Sequence, residues 1–262
     1  MFIFGHPPSL PQARRALPAS LVGDVPRAGA GCSPLSAPAD FATGRQTKSM
    51  NRSNPTTQAT DWRERLIAAV VAETVESGYA ELTIERIVRR AGATLDLFQS
   101  QFADKKTAVE AAYESLFGRY LSRVLQTCEA QPSWPLKVKV GIGVTLDMVA
   151  ASPVEAQFLT VEAMAIDDDF RQRVLDSRDR LARLLVAGRA ETPHGVELPG
   201  VIESALVGGI AGVILAQLQD GEAKQLPALA PELVELTLTP YLGREEAAEM
   251  AGRPRPPVEG PL

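Results

Sequence analysis

Residues 94 to 102, TLDLFQSQF, place Asp96, Leu97, Gln99 and Ser100 within little more than one helical turn. With Phe98 and Phe102 turned inward, a step of about 100° per residue sends those four side chains outward. Such a set can read base-pair edges. A glutamine grips adenine through two hydrogen bonds, a carboxylate accepts from the cytosine amino group, and an aliphatic side chain meets the thymine methyl; a good bidentate pair gives about 1 to 3 kcal/mol of discrimination. The segment carries no lysine or arginine, and Asp96 repels phosphate, so affinity for a polyanion must come from its surroundings. Thr83, Thr94 and Asp104 stand where three helices are expected to begin, and helix N-termini offer unbonded N–H groups and partial positive charge to phosphate. Arg63, Arg86, Arg89, Arg90, Lys105 and Lys106 can add full charges around those starts. Plainer roles exist for the same residues: a carboxylate in a first helical turn stabilises the helix whatever it touches, and the three arginines of 86–90 suit a solvated face.

The elements that must hold these residues read as helices. No proline occurs between Pro55 and Pro132, and from Asp61 apolar residues fall at helical intervals. Trp62, Leu66, Ile67, Val70, Thr74 and Val75 make one face of a first helix, which Gly78 ends. Thr83 caps a second with Ile84, Ile87, Val88 and Ala91 inward, and Gly92 breaks it. Thr94 caps a third. Asp104 opens a long fourth bearing Val109, Ala112, Tyr113, Leu116, Tyr120, Leu121 and Val124. Two short helices divided by a glycine have the spacing of a helix-turn-helix, whose second member usually lies in the major groove.

The stretch RERLIAAVVAETVESGYAELTIERIVRRAGATLDLFQSQFADKKTAVEAAYESLF, residues 63 to 117, resembles the DNA-binding domain of TetR-type transcriptional regulators. The shared punctuation is an amphipathic helix ending at Gly-Tyr, a Thr-capped helix, Ala-Gly, a short helix ending in Phe, and Asp-Lys opening the next. Departures from that pattern fall at Val88, Asp96, Leu97–Gln99 and Gln101, among them the loss of a tyrosine that commonly touches phosphate. The resemblance implies DNA contacts from Thr83, Thr94, Leu95, Asp96, Leu97, Gln99, Ser100, Gln101 and Lys105. It implies an all-α fold, with an N-terminal three-helix helix-turn-helix DNA-binding domain at 61–107 followed by a helical ligand-binding and dimerisation domain at 108–243. It also implies a homodimer whose two recognition helices, about 34 Å apart, read a pseudo-palindromic double-stranded operator as a repressor.

The whole-chain numbers agree with a soluble protein: 262 residues, 45% hydrophobic and 23% charged, with a net charge of −5 that gives no global pull toward nucleic acid. Residues 1–60 hold eight prolines, five glycines, six basic and two acidic side chains, a composition read as a disordered leader. Met50 would make a natural start, leaving the preceding 49 residues as a mis-assigned extension. Cys32 and Cys128 lie far apart without metal-ligand spacing, which suits a reducing cytoplasm. The two histidines, His6 and His194, assemble neither a triad nor a metal cluster, and no phosphate-binding glycine loop follows a strand. No enzyme activity and no cofactor are expected. The rival reading is a helical interaction protein of the same architecture that has lost specific DNA binding.

Beyond residue 130 helices are expected at 135–151, at 152–165 with Ser152 as cap and Pro153 in the first turn, and after the acidic run 167–169, which reads as a cap. GVELPG at 195–200 reads as a loop. By resemblance, a small-molecule effector would sit among the helices of 135–218, lined by Trp134, Met148, Phe158, Met164 and Leu206, with Asp147, Gln157 and Glu162 as polar handles. Residues 201–218 approach the length of a membrane span, but Glu203, Ser204 and Gln217 interrupt them and no basic flank follows. The segment is read as a soluble helix buried on most sides. Its small residues Gly208, Gly209 and Gly212, with Leu206 and Leu215, would pair with a helix bearing Leu233, Leu236 and Tyr241 to make a four-helix dimer interface. Residues 244–262 read as a flexible tail.

Overall fold

The structure, a computed structural model, describes residues 55–252, with side chains from Asp61 onward. Expectations for residues 1–54 of the leader, including the start at Met50, and for the last ten residues lie outside that range. Among the described residues all regular structure is helical.

Three helices precede a long one. α1 (Pro55–Ser77) begins six residues before the expected boundary, because a proline is favoured at the first helical position and nothing in TTQATDW breaks the run. Gly78 ends it at φ 79°, left-handed backbone that favours glycine. α2 (Ile84–Ala91) is capped by Thr83, whose hydroxyl accepts the Arg86 N–H, and it stops at Gly92, φ 64°. A Cβ at Gly92 would also come within 3.3 Å of Arg65 Nη2, a contact the flexible arginine end can relieve, so it is the left-handed backbone that favours glycine there. α3 (Leu95–Gln101) is capped by Thr94 through the Leu97 N–H, and α4 (Lys105–Glu129) by Asp104 through the Thr107 N–H at 2.8 Å.

The body follows: α5 (Trp134–Ala151), α6 (Pro153–Gln157), a π-helical turn (Phe158–Glu162), α7 (Ala163–Ile166), α8 (Asp168–Leu185), α9 (Gly188–Glu191), α10 (Ile202–Gln219), α11 (Ala230–Leu242) and α12 (Arg244–Ala251). Short 3-10 turns at Gly195–Glu197 and Ala223–Leu229 join some of them. Asp167 caps α8 by accepting the Phe170 N–H at 2.9 Å, the role read for the acidic run.

Three expectations need correction. The single helix of 152–165 is α6 and α7 joined by the π turn, and the Ser152 hydroxyl makes no capping bond. The supposed tail at 244–251 is a helix, because REEAAEMA is rich in helix formers and sets Ala247, Ala248 and Ala251 against the core. α10 is long and apolar enough to cross a membrane, with mean hydropathy 1.5, yet only 22% of it is buried within the chain rather than most of it.

Two apolar clusters fill the interior. The first joins Leu66, Val70, Ile87, Phe98, Phe102 and Val109 to Tyr113, Phe158, Phe170 and Val174, so it runs without interruption from α1–α3 into the body. Phe98 is fully buried, its ring 5.5 Å from that of Phe102; burial of such a side chain contributes about 1.5 to 3 kcal/mol. The second cluster gathers Trp134, Leu146, Leu206, Leu226, Leu238 and Tyr241 from α5, α10, the 3-10 turn Ala223–Leu229 and α11.

Candidate functional site

α3 presents the face the sequence predicted. Phe98 and Phe102 pin it to the core, which leaves Thr94, Leu95, Asp96, Gln99 and Ser100 exposed and Leu97 and Gln101 half-buried. Thr83 is exposed at the start of α2. Ser100 Oγ donates to the Leu97 carbonyl at 2.7 Å, whereas the Gln99 amide has no partner among the described residues. Leu95 is 47% exposed, a large apolar side chain offered to solvent at the first helical position.

The surrounding cations are mostly engaged inside the protein. Lys105 Nζ donates to the carbonyls of Tyr79 and Leu82 at 3.1 and 3.0 Å and lies 4.5 Å from the Tyr79 ring centroid. Lys106 pairs with Asp167 at 2.9 Å and with Asp169. Arg86 and Arg90 both grip Glu73 at 2.7 Å, and Arg90 also pairs with Glu76. Burial works to raise the Glu73 carboxyl, but the hydrogen bonds and charges of the two arginines outweigh it and hold Glu73 below its ordinary range. Arg63 reaches the Gln101 carbonyl and lies over Phe102; Arg65 donates to the Ala91 carbonyl at 2.8 Å. Of the six cations expected at phosphate, Arg89 is exposed and makes no bond among the described residues.

Behind α1–α3 the body encloses a cavity of about 500 Å³, within the range of small-molecule sites. One wall is α4, where Tyr113, Leu116, Phe117, Tyr120, Val124 and Cys128 fall on a single helical stripe. α8 supplies Val174, Ser177, Arg178, Leu181 and Leu185 at the same spacing, α5 adds Trp134, Val138, Ile142, Thr145 and Met148, and the remaining wall comes mainly from α6, the π turn and α10, with Glu191 of α9 and Thr237 of α11. From Tyr113 to Glu129 the lining spans sixteen steps of α4, roughly 24 Å at about 1.5 Å each, so the space is long.

Most polar groups in this wall are already committed. Thr145 donates to the Gly141 carbonyl and is itself paired with the Tyr120 hydroxyl at 3.1 Å, and Thr160 donates to the Ala156 carbonyl. Burial pushes the Tyr120 phenol up, against the opposing Thr145 bond, and pushes the Cys128 thiol up against the nearby Lys137 charge, so both stay neutral at pH 7. At the rim, Arg119 pairs with Glu155 at 3.3 Å.

Of the residues expected at the effector, Trp134 and Met148 line the cavity. Asp147 is exposed on the far side of α5, Phe158 is fully buried in the core shared with α1–α3, and Gln157, Glu162 and Met164 lie outside the wall. Tyr113, Phe117, Tyr120, Ser177, Arg178 and Cys128 were missed. The aromatic spacing along α4 was the available signal, and nothing in the sequence singled out Arg178.

The expected dimer residues divide in the same way. Leu206, Leu233 and Tyr241 are buried within the chain's own core, Leu206 lying beside the cavity rather than in its wall. The Tyr241 ring lies tilted at 51° to that of Trp134, centroids 4.6 Å apart, and its hydroxyl donates to Glu203 at 3.0 Å, so none of the three can face a partner. Leu215 is half-buried. Gly208, Gly209 and Gly212 are exposed with open space where a Cβ would stand, and Leu236 is 53% exposed.

This arrangement matches solved structures over most of its length. The fatty acid degradation regulator FadR from Bacillus halodurans superposes with a TM-score of 0.62 at 17% identity, covering 72% of this chain and 97% of that one. The FadR regulator from Bacillus subtilis, in complex with stearoyl-CoA, gives 0.60 at 18%, covering 68% and 98%. A TetR-like transcriptional regulator from Rhodococcus sp. RHA1 gives 0.54 at 20%, covering 64% and 93%. The fold is the TetR fold. No protein-family model and no curated protein matches the sequence. The TetR fold accounts for the order of three short helices, a long α4 and a helical body. The identity of the guest and the readout of DNA rest on this chain's own residues.

Proposed function

We propose that this chain is a soluble, cytoplasmic TetR-like transcriptional repressor that binds a pseudo-palindromic operator as a homodimer and releases it when a small molecule enters the cavity. One observation carries the reading: α3 is anchored by two buried phenylalanines with Gln99, Ser100, Asp96 and Leu95 left outward, on a core continuous with the cavity wall. α1–α3 are then the helix-turn-helix domain. Thr83 and Thr94 open helices whose free N–H groups suit phosphate, Arg89 adds charge, and Lys105 keeps one of its three N–H donors. The bare face of α10 at Gly208, Gly209 and Gly212, with Leu236 of α11 exposed, suits close packing of a second copy. A long apolar guest suits the cavity, and the Bacillus subtilis neighbour was solved in complex with stearoyl-CoA.

The test is a gel shift with DNA flanking the protein's own gene, at two salt concentrations and with scrambled competitor. Specific, salt-sensitive retention of a dimer is expected. Absence of retention at low salt overturns this reading in favour of a helical interaction protein, the alternative supported by the internal engagement of five of six candidate cations and by Asp96.

A further inference from the structure

Five arginines are half-buried among the described residues: Arg63, Arg86, Arg173, Arg178 and Arg189. Four are held by protein oxygen: Arg63 on the Gln101 carbonyl, Arg86 on Glu73, Arg173 on Glu110 and Glu114, and Arg189 on Glu203. Arg178 differs. Its one contact is Nη2 to the Met164 sulfur at 3.8 Å, a weak acceptor, and no carboxylate of the described residues lies within ion-pair distance. A guanidinium has five donors in a planar fork that matches a carboxylate, and partial burial without a partner costs free energy. The neighbouring Ser177 is buried in the same wall. The Tyr113 hydroxyl donates to its oxygen at 3.0 Å, which leaves the serine proton without an acceptor among the described residues. Arg178 and Ser177 thus bring unused donors to the Tyr113 end of a long apolar space.

We propose that the cavity takes a long-chain aliphatic carboxylate, its head seated on Arg178 and Ser177 and its tail lying along α4 toward Cys128. The tail has Leu116, Phe117, Val124, Val138 and Ile142 for company, and the hydroxyls beside it are mostly committed to backbone carbonyls; the buried Trp134 Nε1, which has no hydrogen-bond partner among the described residues, is the exception. Lys137, at the Cys128 end, shares that mouth with Glu129 and sits on a flexible stem that reaches water, so it is a poor seat for the head. The inference rests on reading the cavity as the effector site, but it specifies the chemistry of the guest.

The experiment uses the full chain without DNA and follows Trp134 fluorescence, in a background where Trp62 is phenylalanine, during titration with sodium hexadecanoate, hexadecan-1-ol, methyl hexadecanoate and palmitoyl-CoA. The wild-type cavity is expected to bind the carboxylate at least roughly tenfold more tightly than the alcohol or either ester, the scale of one charge-assisted hydrogen bond. Arg178→Met should erase that preference while leaving the alcohol unchanged. Arg178→Lys should restore part of it, and Lys137→Met should leave it intact. Circular dichroism melts confirm that each variant folds. Equal binding of acid and alcohol by the wild type, a preference for palmitoyl-CoA, or loss of the preference in Lys137→Met overturns the seat. Because no DNA is present, failure here leaves the operator reading standing, and a failed gel shift leaves the carboxylate seat standing.

Discussion

Cations around α1–α3 and Arg178 in the cavity wall live under opposite rules. Near α3, the side chains that looked available for phosphate are tied to Glu73, to Asp167 or to helix-end carbonyls, where they brace the helices against one another. In the body, Arg178 stands beside an apolar space with no oxygen to hold among the described residues. The contrast teaches that charge near a presumed anion site is poor evidence of its use, and that an unmatched charge inside a protein is better evidence. If the proposed function holds, DNA contact falls to backbone amides, to Arg89 and Lys105 and to the cation-free face of α3, so sequence readout should outweigh nonspecific attraction.

The largest effect should come from the anchor of α3. Phe98→Ala removes a fully buried ring and should destabilise the protein by about 3 to 5 kcal/mol, seen as a lower midpoint in urea unfolding, and abolish operator retention. In the body, Gly188 is overlaid by the buried Trp134 ring, which a Cβ there would strike. Gly188→Ala should cost about 1 to 3 kcal/mol by overpacking and change Trp134 fluorescence, with the α3 face untouched. A normal melt for this variant would show the cavity wall to be looser than its geometry.

Glu73→Gln tests the contrast directly. It should cost about 1 to 2 kcal/mol, because Arg86 and Arg90 each keep about a third of their side chain in water and re-solvate. Each guanidinium it frees to reach phosphate should steepen the dependence of log binding constant on log salt by about 0.9, measured on nonspecific duplex. An unchanged slope would mean that the two arginines already serve DNA from where they are. The pH dependence has a definite sign. Glu73 titrates below its ordinary value, so its ion pairs stabilise the protein above the unfolded carboxylate pKa and are lost as pH falls through the lower folded one. Melting temperature should therefore drop below about pH 4, and less so in Glu73→Gln. The smallest change in stability belongs to Gln99→Ala, within about 0.5 kcal/mol, while base preference should shift at one position of the operator in a binding-site selection.

The parts of the molecule written in local signals were legible in the sequence. Thr83, Thr94, Asp104, Gly78 and Gly92 punctuate helices through bonds that span three residues or a single backbone angle, and each stands where it was expected. The outward face of α3 followed from two phenylalanines four residues apart. What failed depended on partners distant in sequence. An apolar stripe facing empty space looks the same as one facing core, so the α4–α8 wall was read as packing. Periodicity also cannot say whether an inward side chain meets its own chain or a copy, which is why Leu206, Leu233 and Tyr241 were assigned to an interface they do not reach. The internal bonds of Lys105 and Arg86 likewise depend on where a separate helix ends. The π turn at 158–162 carries no residue-level mark at all.

That turn sets two neighbours on opposite errands. Phe158 is wedged into the packing that includes Leu66 and Phe98, while Leu159, the next residue, forms part of the cavity wall. Successive side chains leave a helical backbone on different faces. A single peptide thus joins the packing that holds α1–α3 to the surface that lines the cavity.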